Sequence, residues 1–219
     1  MTGKRRGTPG VQLGEDVARA MILQGAAKVF AVRGARLASV EDILEAARVS
    51  RRTFYRAYGS KEDVMLELYR IGTERLLDAC RMALEQERDP LRQAERCIDA
   101  HLHTAREQSR LVFVLGGEAQ RHESLLHARR IEIHEALAAM MASHARASLS
   151  HPPDVLLFRA LLLALEGVTR LVLEEGDGGR HVTAESFSRA RAVMLRVATA
   201  AIAGEGVGVA PLPEEHGGR

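Results

Sequence analysis

The residues best suited to chemistry lie together in one short segment, 51–56, which carries three arginines, a threonine and a tyrosine. Ser50 precedes it and is a residue type that caps helix N-termini, so a short helix is predicted. Arginine donates two hydrogen bonds to guanine O6 and N7 in the major groove of DNA. We therefore expect Arg51 and Arg52 to contact bases and Thr53 to contact a thymine methyl group or a phosphate. The alternative is a basic face that is only solvated.

Two residues outside this segment are expected to contact the phosphate backbone. Ser39 opens the preceding helix, and with Asp42 three residues later it approximates a capping box. A helix N-terminus binds anions through its free backbone N–H groups. Lys61, after the segment, supplies a further cation. Two short capped helices joined by a tight turn are typical of a helix-turn-helix, which places its second helix in the major groove.

Charge is divided unevenly along the chain. The net charge is +2, but residues 1–61 contain 12 Lys and Arg against 5 Asp and Glu, whereas residues 62–219 contain 19 against 24. DNA phosphates attract the first part and not the second. Residues 1–14 form a Gly/Pro/basic arm that we expect to be disordered. Its Lys4, Arg5 and Arg6 either reach into a minor groove or belong to a plain tail.

Hydrophobic residues recur with helical spacing, and no sustained two-residue alternation indicates a strand. The predicted fold class is all-α. Helices are expected to begin at about residues 15, 39, 50, 61, 90, 123, 155 and 184. A short segment around 111–115 is expected to break at Gly116 and Gly117. The Gly/Pro/Glu-rich tail, 204–219, is expected to be disordered.

The segment 155–175 is the most apolar of the predicted helices and has almost no polar face. A helix that is apolar on all sides must be covered on all sides. A second copy of the chain is the simplest source of that cover. We therefore expect a homodimer whose interface includes this helix.

Polar side chains in apolar helices mark candidate ligand-binding positions, because burial without a partner is costly. Glu166 either receives a cationic or hydroxylated ligand, or pairs with Arg170 or with a partner subunit. Aromatic and methionine side chains either line a cavity or belong to an ordinary core. The candidate set for a small-molecule ligand is His101, Phe113, Met140, Phe158, Glu166 and Thr169.

Several function classes are disfavoured by the residues present. We find no nucleophile–base pair, phosphate loop or zinc-protease motif, so we expect no enzyme and no cofactor. No metal is expected either, because His101 and His103 point to different sides of a helix and no Cys or carboxylate completes a set with the other histidines. Cys80 and Cys97 are expected to be reduced core thiols, with a redox switch as the alternative.

Two further features bear on location. No run of about 18 apolar residues appears, so no membrane partner is expected. The first residues are basic but are not followed by the apolar segment of a signal peptide. We therefore expect a cytoplasmic protein.

Residues 22–61 resemble the DNA-binding domain of TetR-type transcriptional regulators. The resemblance is carried by Ile22, Leu23, Ala26, Phe30, Gly34, Ser39, Val40, Asp42, Ile43, Ala47, Val49, Ser50, Thr53, Phe54, Tyr55, Tyr58, Ser60, Lys61 and Glu62. Gly25, Leu44, Arg48 and Ala57 depart from the usual pattern. Arg48 replaces a frequent turn glycine, so we expect either a left-handed backbone or a different turn there. Ala57 lacks a side chain that commonly touches phosphate.

The resemblance implies a helix-turn-helix domain over 15–62 and a helical body over 63–203 that binds a small molecule. The body would form a homodimer through its last two helices, about residues 155–202, as a four-helix bundle. The ligand would move the fourth helix. Tyr55 matches a position whose hydroxyl contacts phosphate, whereas Phe54 and Tyr58 would belong to the small core. The expected DNA contacts are Ser39, Ser50, Arg51, Arg52, Thr53, Tyr55, Arg56 and Lys61.

The predicted function is a homodimeric repressor that binds a palindromic operator in double-stranded DNA and is released by an unidentified small molecule. One alternative is an architectural or interaction protein that binds DNA without an effector. The other is a helical ligand-binding protein with weak, non-specific affinity for DNA.

Overall fold

A computed structural model describes residues 14–148 and 154–203. The predicted arm, apart from Gly14, and the predicted tail at 204–219 lie outside the described residues. Within them the chain forms nine helices and no strand: α1 (Glu15–Arg33), α2 (Val40–Ala47), α3 (Arg51–Ala57), α4 (Lys61–Gln86), α5 (Pro90–Glu107), α6 (Ser109–Ala119), α7 (Leu125–Ser148), α8 (Val155–Glu175) and α9 (Ala184–Ala203). The prediction of an all-α fold is confirmed.

Short-range capping sets the N-termini of several helices. At α2, the Asp42 backbone N–H donates to Ser39 Oγ (3.1 Å) and the Ser39 N–H donates to the Asp42 carboxylate (2.9 Å). This is the complete capping box that the sequence approximates. Ser50 and Ser60 each accept the backbone N–H three residues later, at the start of α3 and α4. Asp154 accepts the backbone N–H two residues later, at the start of α8. These hydrogen bonds join residues two or three positions apart, so they define where the helices begin without any contribution from tertiary packing.

The junction between α1, α2 and α3 explains two departures from the family pattern. Arg48 has φ 54° and ψ 41°, the left-handed conformation expected where a turn glycine is replaced. Gly25 lies where α1 passes closest to α2. A Cβ built on it would lie 2.7 Å from the Ala47 backbone nitrogen and 2.8 Å from the Ala47 Cβ. Glycine at this position therefore permits the close approach of the two helices.

The expected break at Gly116 and Gly117 is wrong, because α6 continues through both glycines to Ala119. Each glycine costs about 1 kcal/mol relative to alanine inside a helix. Packing of α6 against α1, α7 and α8 offsets that cost. Leu115 and Ala119, on either side of the pair, are both buried.

Two main cores stabilise the chain. One is shared by α1–α4 with α6 and the start of α7, and it holds Phe30, Phe54, Val64, Leu115 and Leu126. The other joins α5, α8 and α9 around buried residues that include Leu173 and Met194. The first core continues across the boundary expected at residues 62 and 63, so α4 and α6 pack directly against the N-terminal helices.

One face of α8 is not covered by the described residues. Leu156, Leu163 and Leu171 remain 67%, 50% and 60% exposed, and with Ala160 and Gly167 they follow one stripe of the helix. None of the described helices is long and apolar enough to span a membrane.

Candidate DNA-binding surface and ligand cavity

The helix α3 is anchored on one face and open on the other. Its cap is Ser50, whose hydroxyl accepts the Thr53 backbone N–H (3.1 Å) and also lies 2.9 Å from Thr53 Oγ1. Phe54 is fully buried and Tyr58 nearly so, as the resemblance implies. Tyr55, on the outer side, is 47% exposed. Burial of one face therefore fixes which side chains of α3 point outward.

The three arginines of α3 are not equivalent. The Arg51 guanidinium pairs with the Glu41 carboxylate of α2 and lies 5.9 Å from the centre of the Tyr55 ring. Arg52 and Arg56 are exposed, and within the described residues neither has an ion-pair partner. An external phosphate or base therefore meets Arg52 and Arg56 without competition. Arg51 must first give up an exposed ion pair, which costs about 0–1 kcal/mol.

Lys61 has a different environment from the one expected. Its Nζ donates to the carbonyl oxygens of Ala35 (3.0 Å), Arg36 (3.2 Å) and Ala38 (2.7 Å). An ammonium group has three hydrogens, and these three bonds use all of them. Lys61 therefore has a structural role, in which the start of α4 holds the connection between α1 and α2. Its phosphate contact stays a prediction.

Ser39 is also engaged within the protein. Its hydroxyl donates to the Asp42 carboxylate (2.7 Å) while it caps α2. These hydrogen bonds from Ser39 lower the pKa of the Asp42 carboxyl, and the charge of Arg33 at 3.4 Å acts in the same direction. A phosphate contact at this position is left to the backbone N–H groups of the first turn of α2.

The body contains a cavity of about 240 Å³ enclosed mainly by α4, α5, α6, α7 and α8. Most of its wall is apolar. Of the six candidate ligand-binding residues, His101, Phe113, Glu166 and Thr169 border this cavity. Met140 and Phe158 do not. Met140 packs in the cluster around Cys80, and Phe158 borders only a much smaller void of about 20 Å³.

Glu166 is held by a residue that the sequence analysis did not single out. Arg130 Nε donates to both carboxylate oxygens, at 2.8 and 3.0 Å, and His134 Nε2 lies 3.6 Å away. The expected pairing with Arg170 does not occur, because Arg170 pairs with Glu174 at 2.9 Å. Burial by itself raises the pKa of the Glu166 carboxyl, but the hydrogen bonds and charge of Arg130 outweigh it, so the pKa lies below its usual value.

His101 and Thr169 form a second polar group in the cavity wall. Their Nε2 and Oγ1 atoms are 2.7 Å apart, and the Thr169 hydroxyl also lies 3.2 Å from the Leu165 carbonyl oxygen. The hydroxyl has one hydrogen, and when it donates this hydrogen to the carbonyl, His101 Nε2 is the donor to threonine. Burial lowers the pKa of His101 and keeps the ring neutral. Nδ1 is then a hydrogen-bond acceptor that makes no bond within the described chain.

Other wall residues were missed by sequence reasoning. Tyr69 of α4 borders the cavity, and burial, assisted by the negative charge of Glu166, raises its pKa to about 12. His134 of α7 also borders the cavity, and Arg130, which pairs with Glu166, lies four residues before it on the same face of that helix. That spacing was the one available signal. No group of three potential metal ligands occurs among the described residues.

Two helices join the cavity to the N-terminal domain. α4 begins at that domain and supplies Leu68, Tyr69 and Gly72 to the cavity wall. α6 supplies Phe113 and Gly116 to the wall and also contacts α1.

Hydrogen bonds and an ion pair fix the position of α6. Arg110 of α6 donates from Nε to the Ala31 carbonyl of α1 (2.8 Å) and from Nη1 to the Gly178 carbonyl (3.0 Å). Arg36 and Glu118 form an ion pair across the same junction at 3.3 Å.

Comparison with known proteins agrees with this arrangement. The family model described as bacterial regulatory proteins, tetR family, matches residues 22–68. None of the curated proteins matches the chain in sequence. Among solved structures, the TetR family transcriptional regulator PfmR from Thermus thermophilus is 27% identical with a TM-score of 0.59, covering 85% of this chain and 96% of that one.

Two other solved structures show the same fold at lower identity. A TetR-like transcriptional regulator from a Rhodococcus species is 21% identical, with a TM-score of 0.67 and coverage of 89% and 100%. The regulator FadR from Bacillus subtilis, in complex with stearoyl-CoA, is 16% identical, with a TM-score of 0.68 and coverage of 84% and 98%. The chain therefore carries a TetR-type helix-turn-helix domain on a helical body, in the fold of the TetR-family transcriptional regulators.

Proposed function

We propose that this protein is a homodimeric repressor that binds a palindromic operator through α3 and releases it when a small molecule enters the cavity. The observation that carries the proposal is the double role of α4 and α6. Both helices border the cavity, and both pack in the same core as the DNA-binding helices. A molecule that displaces either helix also displaces the N-terminal domain.

Direct contact with bases is assigned first to Arg52 and second to Arg51 and Arg56. Arg52 is exposed, has no ion-pair partner among the described residues and lies on the first turn of α3. Residues near the N-terminus of a recognition helix approach base edges most closely. For Thr53 and the exposed Tyr55 we propose contacts with the phosphate backbone, and Ser50 caps the start of the helix.

The uncovered stripe of α8 supports dimerisation. Large exposed apolar side chains that follow one helix face mark an interaction surface. Val193 of α9, which packs beside α8, is also 42% exposed. A second copy of the same stripe is its natural complement, because a two-fold interface pairs identical patches.

Dimerisation is tested by Leu163→Glu. We expect this change to convert a dimer to a monomer in sedimentation at micromolar concentration, because it places a charge in an apolar interface. The matched control is Leu37→Glu, which alters an 81% exposed leucine between α1 and α2. A monomeric wild-type protein, or a Leu163→Glu variant that stays dimeric, would contradict the proposed interface.

The cavity supports a mainly apolar ligand with a hydrogen-bond donor. Its wall is largely hydrocarbon, and the Glu166 charge is already compensated by Arg130. The acceptor that remains is Nδ1 of the neutral His101 ring. The FadR structure of the same fold holds an acyl-CoA, and we propose that an acyl chain or a similar hydrocarbon occupies the cavity here.

The ligand proposal is tested by filling the cavity. Gly72 borders it, and a Cβ built there meets no atom within 4 Å. Fatty acids, fatty alcohols and acyl-CoAs are titrated against the protein bound to its operator, with release followed by fluorescence anisotropy. We expect the Gly72→Leu variant to bind the operator as the wild type does. It should stay bound when the ligand is added, because the leucine side chain fills the cavity. Arg52→Ala serves as the converse control, because it should bind the ligand as the wild type does but bind the operator more weakly. Equal release of the wild type and Gly72→Leu would contradict the assigned cavity.

A further inference from the structure

Two thiols face one another in the wall of the cavity. Cys80 lies on α4 and Cys97 on α5, and both border the same apolar space. Cys97 Sγ is 4.0 Å from the backbone carbonyl oxygen of Cys80, and Cys97 packs against the buried cluster that contains Cys80. They are the only cysteines of the chain. The cavity wall therefore contains two neighbouring thiols, which come from two different helices.

The two thiols differ in reactivity. The neighbouring Cys80 thiol lowers the pKa of Cys97, although burial opposes this effect. The same contact, with burial, raises the pKa of Cys80. Cys80 is buried, whereas Cys97 is partly exposed. Because the thiolate is the nucleophile, Cys97 is the residue that attacks an oxidant. Cys80 is the residue that then attacks the oxidised sulfur of Cys97.

We propose that Cys80 and Cys97 form a thiol–disulfide switch in the cavity wall, oxidised by organic hydroperoxides that enter the cavity. An apolar cavity concentrates a hydroperoxide that carries a hydrocarbon group, so such oxidants react ahead of hydrogen peroxide. Disulfides in reducing compartments are typically transient and redox-sensing, which fits a switch better than a structural bond.

The reaction balances in two steps. The Cys97 thiolate attacks the terminal oxygen of ROOH. An S–O bond forms, the O–O bond breaks, and the leaving alkoxide takes a proton to give ROH. Cys80 then attacks the sulfur of the Cys97 sulfenic acid. The S–S bond forms, the S–O bond breaks, and hydroxide leaves with the Cys80 proton as water. Two thiols lose two electrons in total, and the hydroperoxide gains them.

The disulfide would bind α4 covalently to α5. α4 begins at the DNA-binding domain, where Lys61 holds the connection between α1 and α2. Cross-linking the C-terminal part of α4 therefore constrains the helix that positions this domain. We expect oxidation to weaken operator binding about tenfold, a consequence that rests on the proposed function.

The chemistry is tested without DNA. Reduced full-length protein is treated with cumene hydroperoxide or with hydrogen peroxide at equal concentration. We expect the intact mass to fall by two hydrogen atoms, both thiols to disappear from maleimide labelling under denaturing conditions, and dithiothreitol to restore them. Cumene hydroperoxide should act at least about tenfold faster. Thiols that persist, equal rates with the two oxidants, or a disulfide between two chains would overturn the proposal.

Single variants assign the order of attack. In Cys80→Ser, oxidised Cys97 should stop at the sulfenic acid and take one dimedone adduct. In Cys97→Ser, Cys80 should take none in the same time. Equal labelling of both variants would overturn the assignment, and circular dichroism verifies that each variant is folded.

The DNA consequence is measured separately. An oxidised protein that keeps full operator affinity would overturn the regulatory role. Failure of the reduced protein to bind any operator would instead refute the proposed function, and the mass measurement would still decide the disulfide.

Discussion

The DNA-binding surface and the cavity differ in whether their charged side chains are paired. On α3, Arg52 and Arg56 face solvent with no ion-pair partner in the described chain. In the cavity, the Glu166 carboxylate is tied to Arg130 by three hydrogen bonds. Unpaired surface charge attracts an external polyanion, whereas internally paired charge leaves little net attraction for one. The contrast separates a surface suited to DNA from a cavity suited to apolar molecules.

The two regions also differ in packing. At Gly25 the helices α1 and α2 approach so closely that a methyl group has no room. At Gly72 and Gly116, on the cavity wall, a Cβ meets no atom within 4 Å. A tightly packed domain keeps its recognition helix in one orientation, and an open cavity leaves space for an occupant. Substitutions of the same kind in the two regions should therefore have different effects.

The largest effect is expected from Arg52→Ala. Loss of a guanine contact costs about 1–3 kcal/mol, or about 5- to 150-fold in affinity for the operator. Affinity for a scrambled duplex should fall much less. Arg92→Ala, which removes an exposed arginine of α5, is the control and should leave both affinities unchanged. Equal losses on the two duplexes would show that Arg52 contacts phosphate and reads no base. The measurement is a fluorescence-anisotropy titration.

A matched pair of glycine substitutions tests the difference in packing. Gly25→Ala should lower the free energy of unfolding by about 1–3 kcal/mol, because Ala47 must move. Gly116→Ala should leave it unchanged or raise it by up to about 1 kcal/mol, because helix propensity improves and the added methyl meets no neighbour. Urea denaturation measures both. Similar values for the two variants would remove the distinction between a tight domain and an open cavity.

The buried ion pair is tested by Glu166→Gln. The neutral amide leaves the Arg130 charge uncompensated where its side chain is only 15% exposed, so we expect a loss of about 2 kcal/mol in unfolding free energy. The double variant Glu166→Leu with Arg130→Leu should lose less than the sum of its single changes, because no unpaired charge remains. Additive losses would show that the two charges are not coupled.

The smallest expected effect is a dependence of stability on pH. Burial lowers the pKa of His101 and of His134 in the folded protein. Unfolded histidine binds a proton near pH 6.5, so acidification below that value favours the unfolded state and stability falls towards the folded-state pKa. His101→Asn should reduce the loss between about pH 7 and about pH 5.5. His103→Asn, at an exposed position of the same helix, should not. An unchanged pH profile for His101→Asn would contradict the buried, neutral ring.

The features that could be predicted from sequence are those set over short distances along the chain. Ser39, Ser50 and Ser60 indicate helix starts, because each accepts a backbone N–H three residues later. The left-handed conformation of Arg48 is one of the two alternatives that its replacement of a turn glycine left open. The arginine-bearing face of α3 followed from the burial expected of Phe54 and Tyr58.

The features that could not be predicted depend on distant segments. The three carbonyl groups that bind Lys61 come from residues 23–26 positions earlier, and Arg130 and Glu166 are 36 positions apart. The hydrophobic periodicity of a segment does not indicate which distant residue its polar side chains contact. The helical path through Gly116 was missed for the same reason, because packing against α1, α7 and α8 outweighs local propensity. The N-terminal domain was therefore more predictable than the cavity.

The most direct test of the central claim is selection of bound sequences from a random DNA duplex library at about 150 mM salt, where non-specific phosphate contacts are weakened. We predict enrichment of an inverted repeat whose half-sites are separated by one helical turn, or a multiple of it. Absence of any enriched sequence, with binding that disappears as the salt concentration rises, would contradict the assignment of this protein as a sequence-reading dimer.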